Sequence, residues 1–234
     1  MAVHGLYVRH AALAEEWARV RRSEGLRVAS NVAEWQSTLA AMKSERADTV
    51  IAGHWRAGPR TLLAALGRQD RELALTAGLA WLLRPDGHHG LGPRLLAALL
   101  DELGLHGAPP ATRAIVREEE RIVTFEGAEQ ITRADLVVYG AGWTLVFEAK
   151  AYAVEQPAQL DRLFEGWRGE PDPTFIFLTR GARVPTTAVT SEGLWRSLTW
   201  RTVARHTRAA VDDCPSPAPG VRDYITTLEA YHGV

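Results

Sequence analysis

The chain predicts an α/β fold in which a mixed β-sheet is covered on both faces by helices, preceded by a helical extension. Three observations predict it. The first hundred residues carry apolar side chains at three- and four-residue spacing. The texture changes after Pro109-Pro110 to short runs rich in Val, Ile, Leu and aromatics. Those runs come in the order β-β-β-α-β and are followed by helical segments.

In order along the chain, residues 11–24 and 31–45 read as two helices, each with a tryptophan, Trp17 and Trp35, and with Asn31 as the N-cap of the second. A strongly apolar helix runs from Glu72 to Leu83 and stops at Pro85-Asp86-Gly87. Pro93 opens a helix over 93–104 that Gly104 ends. Strands are expected at 113–124, 131–139 and 143–149, the last two joined by a hairpin at Gly140-Ala141-Gly142. A helix over 155–167, a strand over 174–179, a short strand near 197–200 and a helix over 201–211 follow. The proline-rich stretch from Cys214 to Gly220 reads as a linker before a last helix over 221–232. The boundary between extension (1–70) and core (71–234) is drawn where the apolar helix begins.

Composition narrows the class. The 234 residues suit one large domain with an extension, and 46% hydrophobic with 24% charged residues is ordinary for a globular protein. No apolar run reaches the roughly 20 residues of a membrane span, and the N-terminus lacks a signal-peptide layout. The lone Cys214 excludes an internal disulfide and a cysteine-based zinc cluster. These features point to the cytoplasm and to no membrane partner. The formal net charge of −1 gives no global attraction to nucleic acid, although a local basic face is compatible with it. Arginine outnumbers lysine 25 to 2, so a lysine suggests a need for lysine chemistry. The two lysines are Lys43 and Lys150.

Lys150 lies two residues after Glu148, so the strand reading puts both on one face. If Gly140 to Trp143 form a four-residue loop, Tyr139 pairs with Thr144 and Asp135 falls opposite Glu148; a three-residue loop shifts this by one. In the first register two carboxylates and an ammonium converge within roughly 5–7 Å. Such a set suits phosphodiester hydrolysis. Hard oxygen ligands hold Mg²⁺, the ion polarises phosphate, and lysine orients water or stabilises developing charge. The competing reading is an ordinary ion pair on a sheet. Its apolar setting, Leu136-Val137-Val138 and Leu145-Val146-Phe147, makes unpaired charge costly and favours a functional role.

With these residues in view, the sequence resembles the PD-(D/E)xK nuclease superfamily over about residues 70–230. The stretch Glu72-Leu73-Ala74-Leu75-Thr76, continuing through Leu82-Leu83-Arg84-Pro85-Asp86-Gly87-His88-His89-Gly90, is similar to the glutamate helix and LLxPxGxHG signature of a bacterial branch. Arg133-Ala134-Asp135, Glu148-Ala149-Lys150, Glu155-Gln156-Pro157-Ala158-Gln159-Leu160, Phe175-Ile176-Phe177-Leu178-Thr179 and Leu198-Thr199-Trp200-Arg201 resemble its later motifs. The resemblance implies a restriction-endonuclease-like core. It implies Asp135, Glu148 and the Ala149 backbone carbonyl as ligands of Mg²⁺ or Mn²⁺, with Lys150 catalytic. Glu72 would help arrange the metal and Gln159 would contact substrate or water. Leu163 replaces a tyrosine, and Ala149 an asparagine, common in that branch.

The implied activity is a metal-dependent endonuclease acting on DNA, with a restriction or phage-defence role by family analogy. The alternatives are an RNA-directed nuclease and a nuclease-like protein without turnover. A homodimer or a defence-system partner protein is compatible with each. Further residues carry two readings. Glu118, within Glu118-Glu119-Glu120, is an acidic position of the site or part of a solvated charge run. His89 touches DNA or caps a helix, and Arg133 binds phosphate or pairs with Asp135. Arg180 and Arg183, with Arg196, Arg201, Arg205 and Arg208, line a backbone-binding groove or are ordinary surface charge.

Overall fold

The computed structural model describes residues 2–106, 111–125, 129–151 and 155–230, with side chains 2–12, 124, 125, 129 and 130 left undescribed. The chain divides into two compact units, 1–58 and 59–234. The division lies before residue 70 because Thr61 and Leu62 are held by the C-terminal helix. The Leu62 N–H donates to Asp223 Oδ2 at 3.0 Å, and Thr227 Oγ1 donates to Thr61 Oγ1 at 2.9 Å.

The first unit corrects the expectation of two N-terminal helices. It is one helix, α1, Ala2–Ile51, which runs through Gly25 and Asn31. Gly25 is not in the left-handed conformation that would end a helix there. An interior glycine costs only about 1 kcal/mol relative to alanine, too little to interrupt a helix flanked by Arg, Glu, Leu and Ala. None of the described side chains of α1 is buried.

In the second unit, α2 spans Leu62–Ala65, α3 Glu72–Leu83 and α4 Arg94–Glu102. Strands β1 (Ile115–Phe125), β2 (Glu129–Tyr139) and β3 (Thr144–Lys150) follow. Then come α5 (Gln159–Trp167), β4 (Pro173–Thr179), β5 (Trp195–Thr199), α6 (Trp200–Asp212) and α7 (Pro219–Ala230). The five strands lie side by side in the order β1-β2-β3-β4-β5. The first three pair antiparallel, and β3, β4 and β5 pair parallel. The sheet is therefore mixed, as expected. Residues 231–232 of the expected last helix lie outside the described residues. Among the described residues no helix is long and apolar enough to cross a membrane.

The pleat sorts the core into two layers. Leu136, Val138, Leu145, Phe147, Ile176 and Leu178 pack with Leu75, Leu79, Leu95, Leu99, Val203 and Ile225 of the helices on one face. On the other face Val137, Val146, Phe175 and Phe177 meet Leu160, Leu163 and Trp167 of α5. Every residue of β3 is buried, which makes it the central strand.

Helix α5 starts at Gln159, four residues later than expected. Ala158 adopts φ 52°, and Glu155 is used elsewhere: its Oε2 accepts from the N–H groups of Thr186 and Thr187 at 2.9 and 2.8 Å. Asp161 in the first turn does the same for the next residues. It accepts from the N–H groups of Val189, Thr190 and Ser191 at 3.0, 3.0 and 2.9 Å and from Ser191 Oγ at 2.7 Å. These two carboxylates bind the loop between β4 and β5 to α5. Desolvation raises the Asp161 pKa, but the four hydrogen bonds outweigh it and hold the carboxyl well below the usual 3.8.

A depressed folded pKa gives stability that is complete above the unfolded value and is lost as pH falls through the folded one. Asp161→Ala should therefore lower stability at pH 7 by on the order of 1 kcal/mol, allowing for solvent screening at this half-buried position. The deficit should shrink as the pH is taken below 3.8. Chemical denaturation of both proteins at neutral and acid pH checks this; an unchanged deficit across that range contradicts it.

Candidate active site

The hairpin after β2 sets the site. The Gly140 N–H donates to the Trp143 carbonyl at 2.8 Å, and Gly142 has φ +87°, a conformation that favours glycine. The loop has four residues, so Tyr139 pairs with Thr144 and the ladder continues to Leu136 with Phe147. One step further this register brings Asp135 opposite Glu148. The ladder gives way there to a side-chain bond, in which the Ala149 N–H donates to Asp135 Oδ2 at 2.8 Å.

Glu148 and Lys150 share the face of β3 that α5 covers. Glu148 is 1% exposed and Lys150 6%. The Lys150 ammonium pairs with Glu148 Oε1 and lies 3.7 Å from Glu72 Oε1. Glu72 comes from the first turn of α3, in the opposite layer, and its Oε2 accepts the Ala151 N–H at 2.8 Å. Gln159 at the start of α5 donates through Nε2 to Glu148 Oε1 at 2.7 Å, and its Oε1 accepts the Gln156 N–H at 3.3 Å. Five side chains from four elements thus meet at the C-terminal end of β3, where ligand sites of open α/β sheets form. They line a cavity with Ile131, Thr132, Arg133, Gln156, Arg162 and Leu163.

The electrostatics follow from burial. Desolvation first, then the neighbouring Asp135 charge, pushes Glu148 up to about 8 against the opposing pull of Lys150. Asp135 is also raised, again chiefly by burial, although the Ala149 N–H and Lys150 oppose it. Burial pulls Lys150 down, but Glu148, Glu72 and Asp135 outweigh it and raise it overall. Glu148 Oε2 is buried without a hydrogen-bond partner. An orphaned buried carboxylate oxygen is rare and costly.

Those observations test the fit of a divalent ion. Asp135, the orphaned oxygen of Glu148 and the neighbouring main chain provide hard oxygen donors of the kind Mg²⁺ takes, and Mg²⁺ retains several waters. Among the described residues, however, no group of three or more His, Cys, Asp or Glu side chains is arranged to hold a metal. Glu72, which the resemblance implies would help arrange the metal, has both oxygens engaged elsewhere. One of its oxygens accepts Ala151 N–H and the other faces Lys150, so its direct role is to position Lys150 and the end of β3.

The remaining candidates separate. His89 is fully buried, which corrects its assignment as a nucleic-acid contact. Its Nε2 donates to the Arg84 carbonyl at 2.7 Å, its Nδ1 accepts the Leu91 N–H at 3.0 Å, and its ring stands edge-on to Trp81. It closes the turn after α3. Glu118 pairs with Arg84 at 3.2 Å and is not among the cavity-lining residues. Arg133 lines the cavity but pairs with Glu119 rather than Asp135. Glu119 has φ 49° and stands where the β1–β2 register would oppose Asp135, so the distortion of β1 falls beside the site. Arg183 lies 5.4 Å from the centre of the Phe177 ring, outside the cavity lining, and Arg180 is not in that lining either. Arg205 pairs with Glu102 and Arg208 with Glu229, both exposed. The sequence reading missed Arg162, one turn after Gln159, whose Nη1 donates to the Pro157 carbonyl at 2.7 Å. Its three-residue spacing from Gln159 was the available signal.

No family model, curated protein or solved structure matches this chain.

The Gln159–Glu148 bond yields a test. Gln159→Glu replaces the donor with a third carboxylate against Glu148, so it should cost roughly 1–3 kcal/mol of stability at pH 7. Gln159→Met, which removes the donor without adding charge, should cost less. Urea unfolding ranks the two; equal losses would show that Gln159 acts through packing alone.

Proposed function

We propose that this protein is a metal-dependent phosphodiester hydrolase with a restriction-endonuclease-like core, cutting nucleic acid internally and acting on DNA in preference to RNA. One observation carries the reading: a nearly inaccessible carboxylate, Glu148, with an orphaned oxygen, stands beside Asp135 and Lys150 at the end of a central strand. Burying that group costs several kcal/mol unless something uses it. The resemblance to PD-(D/E)xK nucleases supplies the reaction, and residues from four elements that meet in one cavity agree with it.

In this reading Asp135, Glu148 and the Ala149 carbonyl hold Mg²⁺ or Mn²⁺, and Glu72 shapes the site from behind Lys150. The ion, when bound, polarises the scissile phosphodiester. Lys150 orients the attacking water or offers its proton to charge developing on the phosphate. Its present partner is Glu148 Oε1, so ion binding and substrate entry redistribute that contact rather than create the group anew. Gln159 fixes the Glu148 carboxylate through its 2.7 Å bond. Arg133 and Arg162 provide cationic donors at the wall for a phosphate backbone.

The Lys150–Glu148 ion pair itself favours a second reading, a nucleic-acid-binding protein of the same fold without turnover. Cleavage assays with Mg²⁺ or Mn²⁺ on matched DNA and RNA decide among the readings. A restriction or defence role rests on the resemblance alone.

Asp135→Ala and Glu148→Ala are each expected to abolish cleavage and leave a folded protein, since both remove mutual carboxylate repulsion from the site. Activity and melting temperature are measured together. Near-normal cleavage would remove the metal-ligand assignment, and a collapse of stability would mark a structural ion pair.

Lys150→Arg should lose at least about a hundredfold in rate, because a longer planar guanidinium displaces the attacking water by about 1 Å and does not release a proton. Metal affinity should change less than turnover, as Lys150 is not a ligand. Calorimetric Mg²⁺ titration beside cleavage kinetics checks both; wild-type cleavage by the arginine variant would reduce Lys150 to a bare charge.

A further inference from the structure

Helix α1 carries an apolar stripe that nothing in its own unit covers. Leu13, Trp17, Val20, Val28, Val32, Trp35, Leu39, Met42 and Val50 fall within one third of the helix circumference, and all are exposed, Trp35 at 78%. The opposite side carries Glu15, Arg19, Arg22, Ser23, Ser30, Ser37 and Asp48. Trp17, Val28, Leu39 and Val50 recur at eleven-residue intervals. An eleven-residue repeat drifts about 20° per repeat on a straight helix, in the opposite sense to a seven-residue repeat, and favours a shallow right-handed pairing. The stripe thus extends for most of the helix and suits a long pairing with a shallow right-handed twist. A lone helix containing Gly25 and several Val and Ser residues is poorly stable in water without a packed apolar face.

We infer that the stripe is the docking surface for a second copy of this chain, the two α1 helices packing in parallel. Area and charge argue for it. The exposed fractions of the nine stripe residues amount to on the order of 1,000 Å² per copy, against about 800 Å² per partner in a standard stable interface. The charges flanking the stripe differ in sign. Glu16, Glu34 and Glu45, with Arg27, border one edge; Lys43 borders the other, Arg21 stands just inside it, and Glu24 and Arg46 lie within the stripe. Parallel packing sets the acidic edge of each helix against the opposite edge of its partner, where Lys43 and, just inside it, Arg21 supply positive charge. Antiparallel packing sets the acidic edges against each other and the basic edges likewise. Asn31, on the line of Val20 and Met42, would face its own copy, a polar position that fixes register in paired helices. A membrane surface fits less well, since the polar face mixes acidic with basic residues where interfacial helices favour Lys and Arg.

Sedimentation equilibrium of the full chain tests this without reference to the proposed chemistry. Wild type should have twice the monomer mass. Trp35→Glu with Leu39→Glu, both at exposed positions, should return the monomer while the melting transition of the 59–234 unit is kept. Orientation is read in a Cys214→Ser background bearing Trp17→Cys. Mild oxidation should cross-link the parallel dimer, whereas antiparallel pairing about residue 32 would hold the two sulfurs roughly 45 Å apart at 1.5 Å per residue. A wild-type monomer up to about 100 μM, a range that reaches weak interfaces, overturns the proposal. So does a dimer that the double variant leaves intact, or a monomer that instead sediments with anionic vesicles. A dimer that fails to cross-link overturns the parallel arrangement.

Discussion

The 59–234 unit is organised around an ammonium ion that the central strand buries. Lys150 sits among Glu148, Glu72 and Asp135, and a charge so enclosed is tolerated only if partners surround it. Each partner imposes a constraint on a different element. Glu148 fixes which face of β3 turns toward α5. Asp135 requires a four-residue hairpin between β2 and β3, because a one-residue slip would turn it to the opposite layer. Glu72 requires α3 to begin near the end of β3, and Gln159 requires α5 to begin above it. The mixed sheet, with β1 to β3 antiparallel and β3 to β5 parallel, leaves the C-terminal end of β3 open to these helix starts.

The same cluster stores an imbalance. Three carboxylates surround one ammonium, Glu148 is pushed up to about 8, and one of its oxygens has no partner. A sequence selected only for stability would replace the set with apolar residues of similar volume, at no loss or at a gain. The surrounding core is otherwise orthodox, with Val146, Phe175, Phe177, Leu163 and Trp167 closing over the face. A locally unfavourable site held by a well-packed frame is how functional polar groups are commonly maintained.

Much of this was legible in the sequence, for specific reasons. Glu148 and Lys150 share a face because strand side chains alternate; Gly140 to Trp143 mark a turn but leave two registers open, and the four-residue loop of the structure decides where Asp135 lies. The nearness of Glu72 to Lys150, 78 positions later, is not local information and came from the resemblance alone. The expected helix over 155–167 begins four residues early, at a carboxylate, Glu155, of the kind that favours a first helical turn. Asp161 stands in such a turn, but both carboxylates spend their oxygens on the loop at 186–191, a tertiary contact that no window of sequence reveals. His89 carried two readings because an imidazole suits either; its two ring nitrogens are consumed by main-chain groups within five residues. Asn31 reads as an N-cap because Asn favours helix starts, yet neither it nor Gly25 stops propagation of α1.

The two units use apolar residues differently, and that contrast separates their roles. Within 59–234, α3 is apolar nearly all round and buries Leu75, Leu79, Leu82 and Leu83, as an internal helix must. In α1 nine exposed apolar residues share one stripe, its tryptophans among them, while Leu26 and Ile51 are exposed outside it. A misfolded or leftover segment would scatter such residues, and selection against aggregation would remove them. An eleven-residue recurrence with acidic and basic edges on opposite sides is instead a patterned surface.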